Sequence, residues 1–245
     1  MSLATEARAL RSAFAYFSIV PVGRGDDPDG RAVAWLPLVG AGLGAIAGTA
    51  ALGAARIGPH AIAVAIAFGA TIVLSGAMHL DGFLDCCDAL FASVSPQRRL
   101  EILKDPRHGT FALAGLAVLM PVWLAALWTL PPSEYPFALA FAAACSRWSA
   151  VVHAMRAPAL RPGATTSALA AKPPLTTLAL CTILVVALAA PFAWRGAAAL
   201  AGAAIVAAAA LSWSRARLGG HLTGDAYGFA IVLAEVAALL ALALG

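Results

Sequence analysis

The chain has 245 residues, 62% of them hydrophobic and only 11% charged, against roughly half and a quarter in soluble domains. So little charge cannot coat a water-facing surface, which excludes a soluble globular domain and indicates an integral membrane protein. The net charge of +4 is modest and follows from membrane topology, so it implies no nucleic-acid partner. Residues 1–34 read as a cytoplasmic or interfacial N-terminal segment, with 5–20 as a short amphipathic helix in the interface. Arg8 and Arg11 fall early in it, and no clean apolar core with a small-residue cut site follows, so no cleavable signal is expected. About seven apolar runs come next, near 35–55, 61–80, 111–130, 136–155, 175–194, 196–212 and 226–244. Each approaches the roughly 20 apolar residues that cross a hydrocarbon core. They are rich in Ala and Leu and lack the period-two alternation of a barrel, so every span must be a helix. The fifth and sixth runs are separated only by "WRG" at 194–196, which demands a tight helical hairpin. With no internal repeat and no soluble second domain, the expectation is all-α: one polytopic membrane helix bundle over 1–245.

Basic residues orient these spans. Fourteen of the 16 Lys and Arg fall on one side: Arg8, Arg11, Arg24 and Arg31, then Arg98, Arg99, Lys104 and Arg107, then Arg147, Arg156, Arg161 and Lys172, and last Arg215 and Arg217. The other side keeps Arg56 and Arg195. The positive-inside rule makes the rich side cytoplasmic and places the N-terminus inside. Cys86, Cys87, Cys145 and Cys181 form no CxxC pair and no Cys/His ligand spacing, so neither a disulfide nor a zinc site is indicated.

Three polar segments on that side, 79–110, 145–172 and 213–228, hold the remaining chemistry. The first begins "HLDGFLDCCDAL", with Asp81, Asp85 and Asp88 spaced i, i+4, i+7. At 100° per residue they fall within about 60° of arc on one helical face. Like charges so stacked repel, and low dielectric near lipid raises the cost. Oxygen ligands alone suit a hard cation, Mg²⁺ or Mn²⁺; a solvated acidic turn or neutralisation by a neighbouring Arg is the plainer alternative. Cys86 and Cys87 point off the acidic face and read as packing residues. His79 lies off it too, and reads as a hydrogen-bonded interfacial residue. The segment continues through Lys104, Asp105, Arg107 and His108 to Gly109 and a helix start, an arrangement that can cradle phosphate.

In the second segment, "CSRWSAVVHAMRAPALRPGATTS", Arg147 stands near the end of a span and Arg161 precedes "PG". Two arginines can clamp a pyrophosphate, with lipid-snorkelling side chains as the plainer reading. The third, "RARLGGHLTGDAYGF", has four glycines, and the backbone at Gly220, Thr223 and Gly224 can approach a ligand closely. Asp225 there can be a helix N-cap, a fourth metal ligand or a base. Glu235, two turns into the last span, reads as a buried hydrogen-bonding group. Clustered carboxylates, arginines and glycine loops together are what phosphoryl transfer needs.

In order and spacing, "HLDGFLDCCDAL", "ILKDPRHGTFALAGL", "SRW…RAPALRPG" and "GGHLTGDAYG" resemble the signature blocks of the cobalamin synthase family, the adenosylcobinamide-GDP ribazoletransferases. The early "YFSIVPVGR" and "AWLPLVGAGLGAIAG" resemble its opening segments, so the likeness covers nearly the whole chain. It implies a phosphotransferase of the bacterial inner membrane, its active site facing the cytoplasm. The implied reaction moves the adenosylcobinamide phosphate from adenosylcobinamide-GDP to α-ribazole or its 5′-phosphate, with GMP leaving and Mg²⁺ required. Membrane lipid is an implied partner, and a homo-oligomer or a complex with other cobalamin-assembly enzymes is compatible with it. Carried over by motif, Asp81, Asp85 and Asp88 would hold metal, with Asp105 beside them. Lys104, Arg107, Arg147 and Arg161 would hold phosphates, while Asp85, Asp88, Lys104 and Asp225 would carry catalysis. Ala89 and Pro106 stand where the family favours Gly and Ser, and Val232 where it favours Glu. Two other readings remain: a CDP-alcohol phosphatidyltransferase, whose "DGxxAR" opening is missing after Asp81-Gly82, and a secondary transporter, whose acids would lie at the midplane.

Overall fold

A backbone in lipid must satisfy every N–H and C=O internally, and this chain does so with helices. The computed structural model describes residues 3–23, 29–155 and 172–244; among them there is no strand. The helices are α1 (Leu3–Phe17), α2 (Gly30–Ala34), α3 (Leu36–Ile57), α4 (His60–Leu74), α5 (Met78–Phe91), α6 (Pro96–Ile102), α7 (Thr110–Trp128), α8 (Tyr135–Ala154), α9 (Leu175–Ala189), α10 (Trp194–Arg217) and α11 (Gly224–Ala243). Single 3-10 turns lie at Pro132–Glu134 and Ala190–Phe192. Six of these stretches are long and apolar enough to cross a membrane, and the bent pair α4–α5 makes up to seven. Ile62, Ile66, Leu113, Val118, Ile183 and Ile205 point outward from α4, α7, α9 and α10, a surface that lipid covers. The protein is a polytopic membrane helix bundle, as its composition requires.

The bundle is built around α8, which is buried along nearly its whole length. Apolar attraction cannot drive helices together in lipid, so close backbone approach through small residues must do it. Gly40, Gly44 and Gly48 supply that approach on α3. A Cβ on Gly40 would sit 2.5 Å from the Ala143 carbonyl oxygen, and Cβ atoms on Gly44 and Gly48 would strike the backbone at Leu139 and Tyr135. Because the obstacles are backbone atoms, they cannot swing away. Gly44→Val is expected to destabilise the bundle by about 3 kcal/mol, the upper range for overpacking, read as a lower thermal midpoint in detergent. An unchanged midpoint would refute this contact.

The expected second span, 61–80, is corrected. Its helix stops at Leu74, and α5 leaves at 90° to α4. Gly76 (φ 61°) and Ala77 (φ 57°) both take the left-handed conformation, which reverses the chain. The Ser75 hydroxyl donates to the Thr71 carbonyl (2.9 Å), closing the end of α4. With 15 residues, α4 is about 22 Å long, short of a full hydrocarbon crossing. The hairpin between the fifth and sixth spans also shifts: it turns at Ala190–Ala193 rather than 194–196, and Gly196 lets α10 close onto Ala189. The N-terminal amphipathic helix exists as α1. Its buried Glu6 accepts from Arg31 (2.8 Å), the Trp35 indole (3.1 Å) and Thr177 (3.2 Å), which docks α1 on α2, α3 and α9.

Candidate active site

The polar segment 79–110 is largely helical, and α5 carries the acidic face. Phe83, Cys86, Cys87 and Leu90 are buried on one side of it, while Asp81 is exposed on the other. All four cysteines are buried free thiols, consistent with packing roles. Tight contacts fix α5 in place. A Cβ on Gly115 of α7 would lie 2.6 Å from Cys87 Sγ, and one on Gly82 would lie 2.9 Å from the Asp225 Cα of α11. Phe83 stacks on Phe229 at 5.6 Å. At the C-terminal end, Arg217 donates to the Leu90 carbonyl (2.7 Å) and Arg99 to that of Ala92 (2.9 Å). Cations there satisfy carbonyls that the helix leaves open and complement its dipole. Arg99 is thus a structural cap.

Asp81, Asp85 and His108 converge. Each offers one ligand atom, and these atoms lie within 4.8 Å of one another. His108 Nδ1 is 3.4 Å from Asp85 Oδ1, and Nε2 is 3.7 Å from Asp81 Oδ1. Among the described residues, no other cationic side chain lies within ion-pair reach of either carboxylate. Asp225 opens α11 beside them, its backbone against Gly82, under an N-cap in which Thr223 Oγ1 accepts from the Ala226 N–H (3.3 Å). Gly219 (φ +68°) and Gly220 (φ +91°) make the turn that brings α11 back to this position. Capping of α11 is therefore done by Thr223, whose hydroxyl also hydrogen-bonds the Asp225 carboxylate. The donor set suits a small divalent cation: two carboxylates fit Mg²⁺ or Mn²⁺, and the imidazole fits Mn²⁺ directly.

His108 is the functional residue that sequence spacing did not select as a ligand. Asp88 goes elsewhere. Its two oxygens accept from the Gly109 N–H (2.5 Å) and the Ala112 N–H (3.0 Å), so it caps α7 across 21 residues of chain. Gly109 has to be glycine for this, since a Cβ would come within 2.8 Å of Asp88 Oδ1. The cap seats the start of α7 on α5 and thereby sets His108, one residue earlier, over the other two carboxylates.

The remaining sequence-selected residues separate. Asp105 is not brought to the carboxylates; Arg107 grips it with Nε (2.9 Å), Nη2 (2.8 Å) and its backbone N–H (3.1 Å). Those hydrogen bonds hold the Asp105 carboxyl down at about 2. Lys104 is exposed and its ammonium makes no hydrogen bond or ion pair among the described residues. Arg161 lies outside the described residues. Arg147 is the clearest departure from a phosphate clamp. It is 6% exposed within α8, and its guanidinium donates to Glu235 (3.0 Å) and to the Ala143 carbonyl (3.0 Å). A buried charge needs its partner, so Arg147→Met is expected to cost about 3 kcal/mol of stability, read as a lower thermal midpoint. Adding Glu235→Leu should recover most of it. A single variant with normal stability and only weakened substrate binding would return Arg147 to the clamp.

Residues 9–243 match the family described as cobalamin-5-phosphate synthase. An adenosylcobinamide-GDP ribazoletransferase of Deinococcus radiodurans is 36% identical over 96% of this chain and 85% of its own length. Those of Leptothrix cholodnii and Stutzerimonas stutzeri are 35% and 34% identical, over 98% and 88% of this chain and 96% and 87% of theirs. No solved structure matches. An all-helical membrane bundle with a convergent acidic site, matched end to end, leaves one conclusion: the chain belongs to the cobalamin-5-phosphate synthase family and is a transferase of cobalamin synthesis.

Proposed function

We propose that this transferase moves the adenosylcobinamide phosphate of adenosylcobinamide-GDP to α-ribazole or its 5′-phosphate and releases GMP. It does so with Mg²⁺ or Mn²⁺ held on Asp81 and Asp85, at the cytoplasmic face of the inner membrane. The names of the relatives support the substrates. The observation that carries the site is the convergence of Asp81, Asp85 and His108. Bound there, the cation supplies charge neutralisation on the pyrophosphate and alignment of the leaving group. The face chosen follows from charge: Arg99 and Arg217 cap the C-terminal end of α5, and Arg98 and Arg215 lie close to them in sequence on α6 and α10, the pattern of a cytoplasmic surface.

The chain's own residues divide the remaining work. Asp81 stands at the mouth, 66% of its side chain exposed, and Asp85 deeper, at 16%. The site therefore opens outward while its inner carboxylate is shielded from bulk water, where electrostatic interactions strengthen. His108 would join the two carboxylates in holding Mn²⁺ and would orient them by hydrogen bonding were the ion Mg²⁺. Asp225 accepts the proton of the attacking 3′-hydroxyl of α-ribazole as the bond to phosphorus forms and GMP leaves. Lys104, exposed and without a partner among the described residues, meets the phosphates from the side of α6 and balances their charge.

The experiment is direct. Purified protein given adenosylcobinamide-GDP, α-ribazole and Mg²⁺ should release one GMP per cobalamin formed, and EDTA should stop both. GMP release without an acceptor-dependent corrinoid product, or full turnover in EDTA, would contradict the proposal.

A further inference from the structure

On the side of α5 away from the carboxylates lies a half-open cavity of about 60 Å³, lined among others by Thr71, Ser75, Trp123 and three polar groups, His79, Arg147 and Glu235. At 100° per residue His79 stands about 200° round the helix from Asp81, so one face of α5 meets the cavity and the opposite one carries the acids. His79 is 8% exposed, and its ring nitrogens find no hydrogen-bond partner among the described residues. Among the described residues, only Nη1 of the Arg147 guanidinium and only Oε2 of Glu235 are engaged. The Thr71 and Ser75 hydroxyl protons go to backbone carbonyls at 2.8 and 2.9 Å, leaving both oxygens able to accept. Unspent donors and acceptors on four elements thus face one small volume. A water needs about 10–15 Å³ of such space and two to four polar partners, so this cavity has room for a few waters and the polar groups to hold them.

We infer that this cavity is a water site in which about two ordered waters join His79 to the Arg147–Glu235 pair, making His79 a positioning residue for the carboxylates on the far side of α5. The inference rests on the metal-binding reading of Asp81 and Asp85. The chain reverses at Ser75–Ala77 immediately before α5, so the roll of the helix has to be fixed by its own contacts. A roll of about 20° would move carboxylate oxygens, roughly 6 Å from the axis, by about 2 Å. Metal ligation tolerates about 0.2 Å. The water bridge holds the N-terminal turn of α5 against the ion pair, while the Gly82–Asp225 contact holds its middle.

The test is Mn²⁺ titration of the purified full chain, followed by electron paramagnetic resonance, for wild type, His79→Leu, His79→Gln and Thr71→Met. Thr71→Met fills the cavity from α4 while leaving every residue of α5 unchanged. His79→Leu and Thr71→Met are expected to weaken Mn²⁺ binding about tenfold, in the range for residues that orient metal ligands. His79→Gln, which keeps a donor and an acceptor, should bind close to wild type. Wild-type affinity in Thr71→Met, or equal losses in His79→Leu and His79→Gln, would overturn the inference; if His79→Leu does not fold, Thr71→Met decides. Wild-type protein that binds no Mn²⁺ would sink the metal reading instead. Crystallographic density reads the water site independently of metal: two waters between His79 and the ion pair support it, and a dry or lipid-filled cavity overturns it.

Discussion

Asp85→Asn is expected to abolish GMP release, lowering turnover by about a thousandfold, while the protein remains inserted in the membrane. Asp85 is the inner member of the convergent group, 3.4 Å from His108, with its side chain 16% exposed. Its amide counterpart is nearly isosteric, so packing of α5 against α7 and α11 should survive. The charge does not survive, and charge is what the site uses. A divalent ion contributes several kcal/mol of transition-state stabilisation, and 1.36 kcal/mol is a factor of ten in rate, so losing a ligand worth about 4 kcal/mol gives the thousandfold figure. The measurement is GMP release at saturating Mg²⁺, beside a thermal midpoint. Full activity with metal retained would refute the ligand role. Normal stability with activity lost is the expected pair of results.

Gly82→Val is expected to lower turnover about a hundredfold by another route. Gly82 carries no functional group, but a Cβ there would lie 2.9 Å from the Asp225 Cα and 3.1 Å from its carbonyl oxygen. Gly228 returns the favour from α11, where a Cβ would meet the His79 carbonyl at 3.3 Å. This close crossing brings the carboxylate of the last span beside those of α5. A valine must push the two helices apart, and displacements of about 1 Å at reacting groups cost around a hundredfold. Asp81 and Asp85 remain on their own helix, so Mn²⁺ affinity should change far less than turnover. Equal losses in both would mean that α5 itself had been disrupted; an unaffected rate would show that Asp225 plays no part.

The contrast between these variants reflects what a sequence can carry. The helical spacing of Asp81, Asp85 and Asp88 was legible, because a helix face depends only on local geometry. Which of the three meets the others was not, because Asp88 is claimed by backbone N–H groups at the start of α7, 21 and 24 residues on. His108 escaped for the same reason: it belongs to a connector, and only the docking of α7 shows where the connector faces. A signal existed in the pair Asp88 and Gly109, a carboxylate and a helix start that lacks a side-chain cap of its own. Most span ends were legible from hydropathy, but the end of the second span and the turn between the fifth and sixth were not. The 90° break was not, since Ser75–Ala77 interrupts an apolar run without a charge; the Ser-Gly pair was its one local mark. Arg147 and Glu235 were each visible as isolated charges inside spans. Expense alone argues that two such charges meet, and that argument would have moved Arg147 from the phosphates to its partner.

The central claim is that a divalent ion sits on Asp81 and Asp85 with His108 beside it. Crystals grown with Mn²⁺ and measured for anomalous scattering test it most directly. The account predicts one strong peak between those three side chains, lost in Asp85→Asn. A peak at Asp105 or Asp88 instead, or none in crystals of active protein, would contradict it.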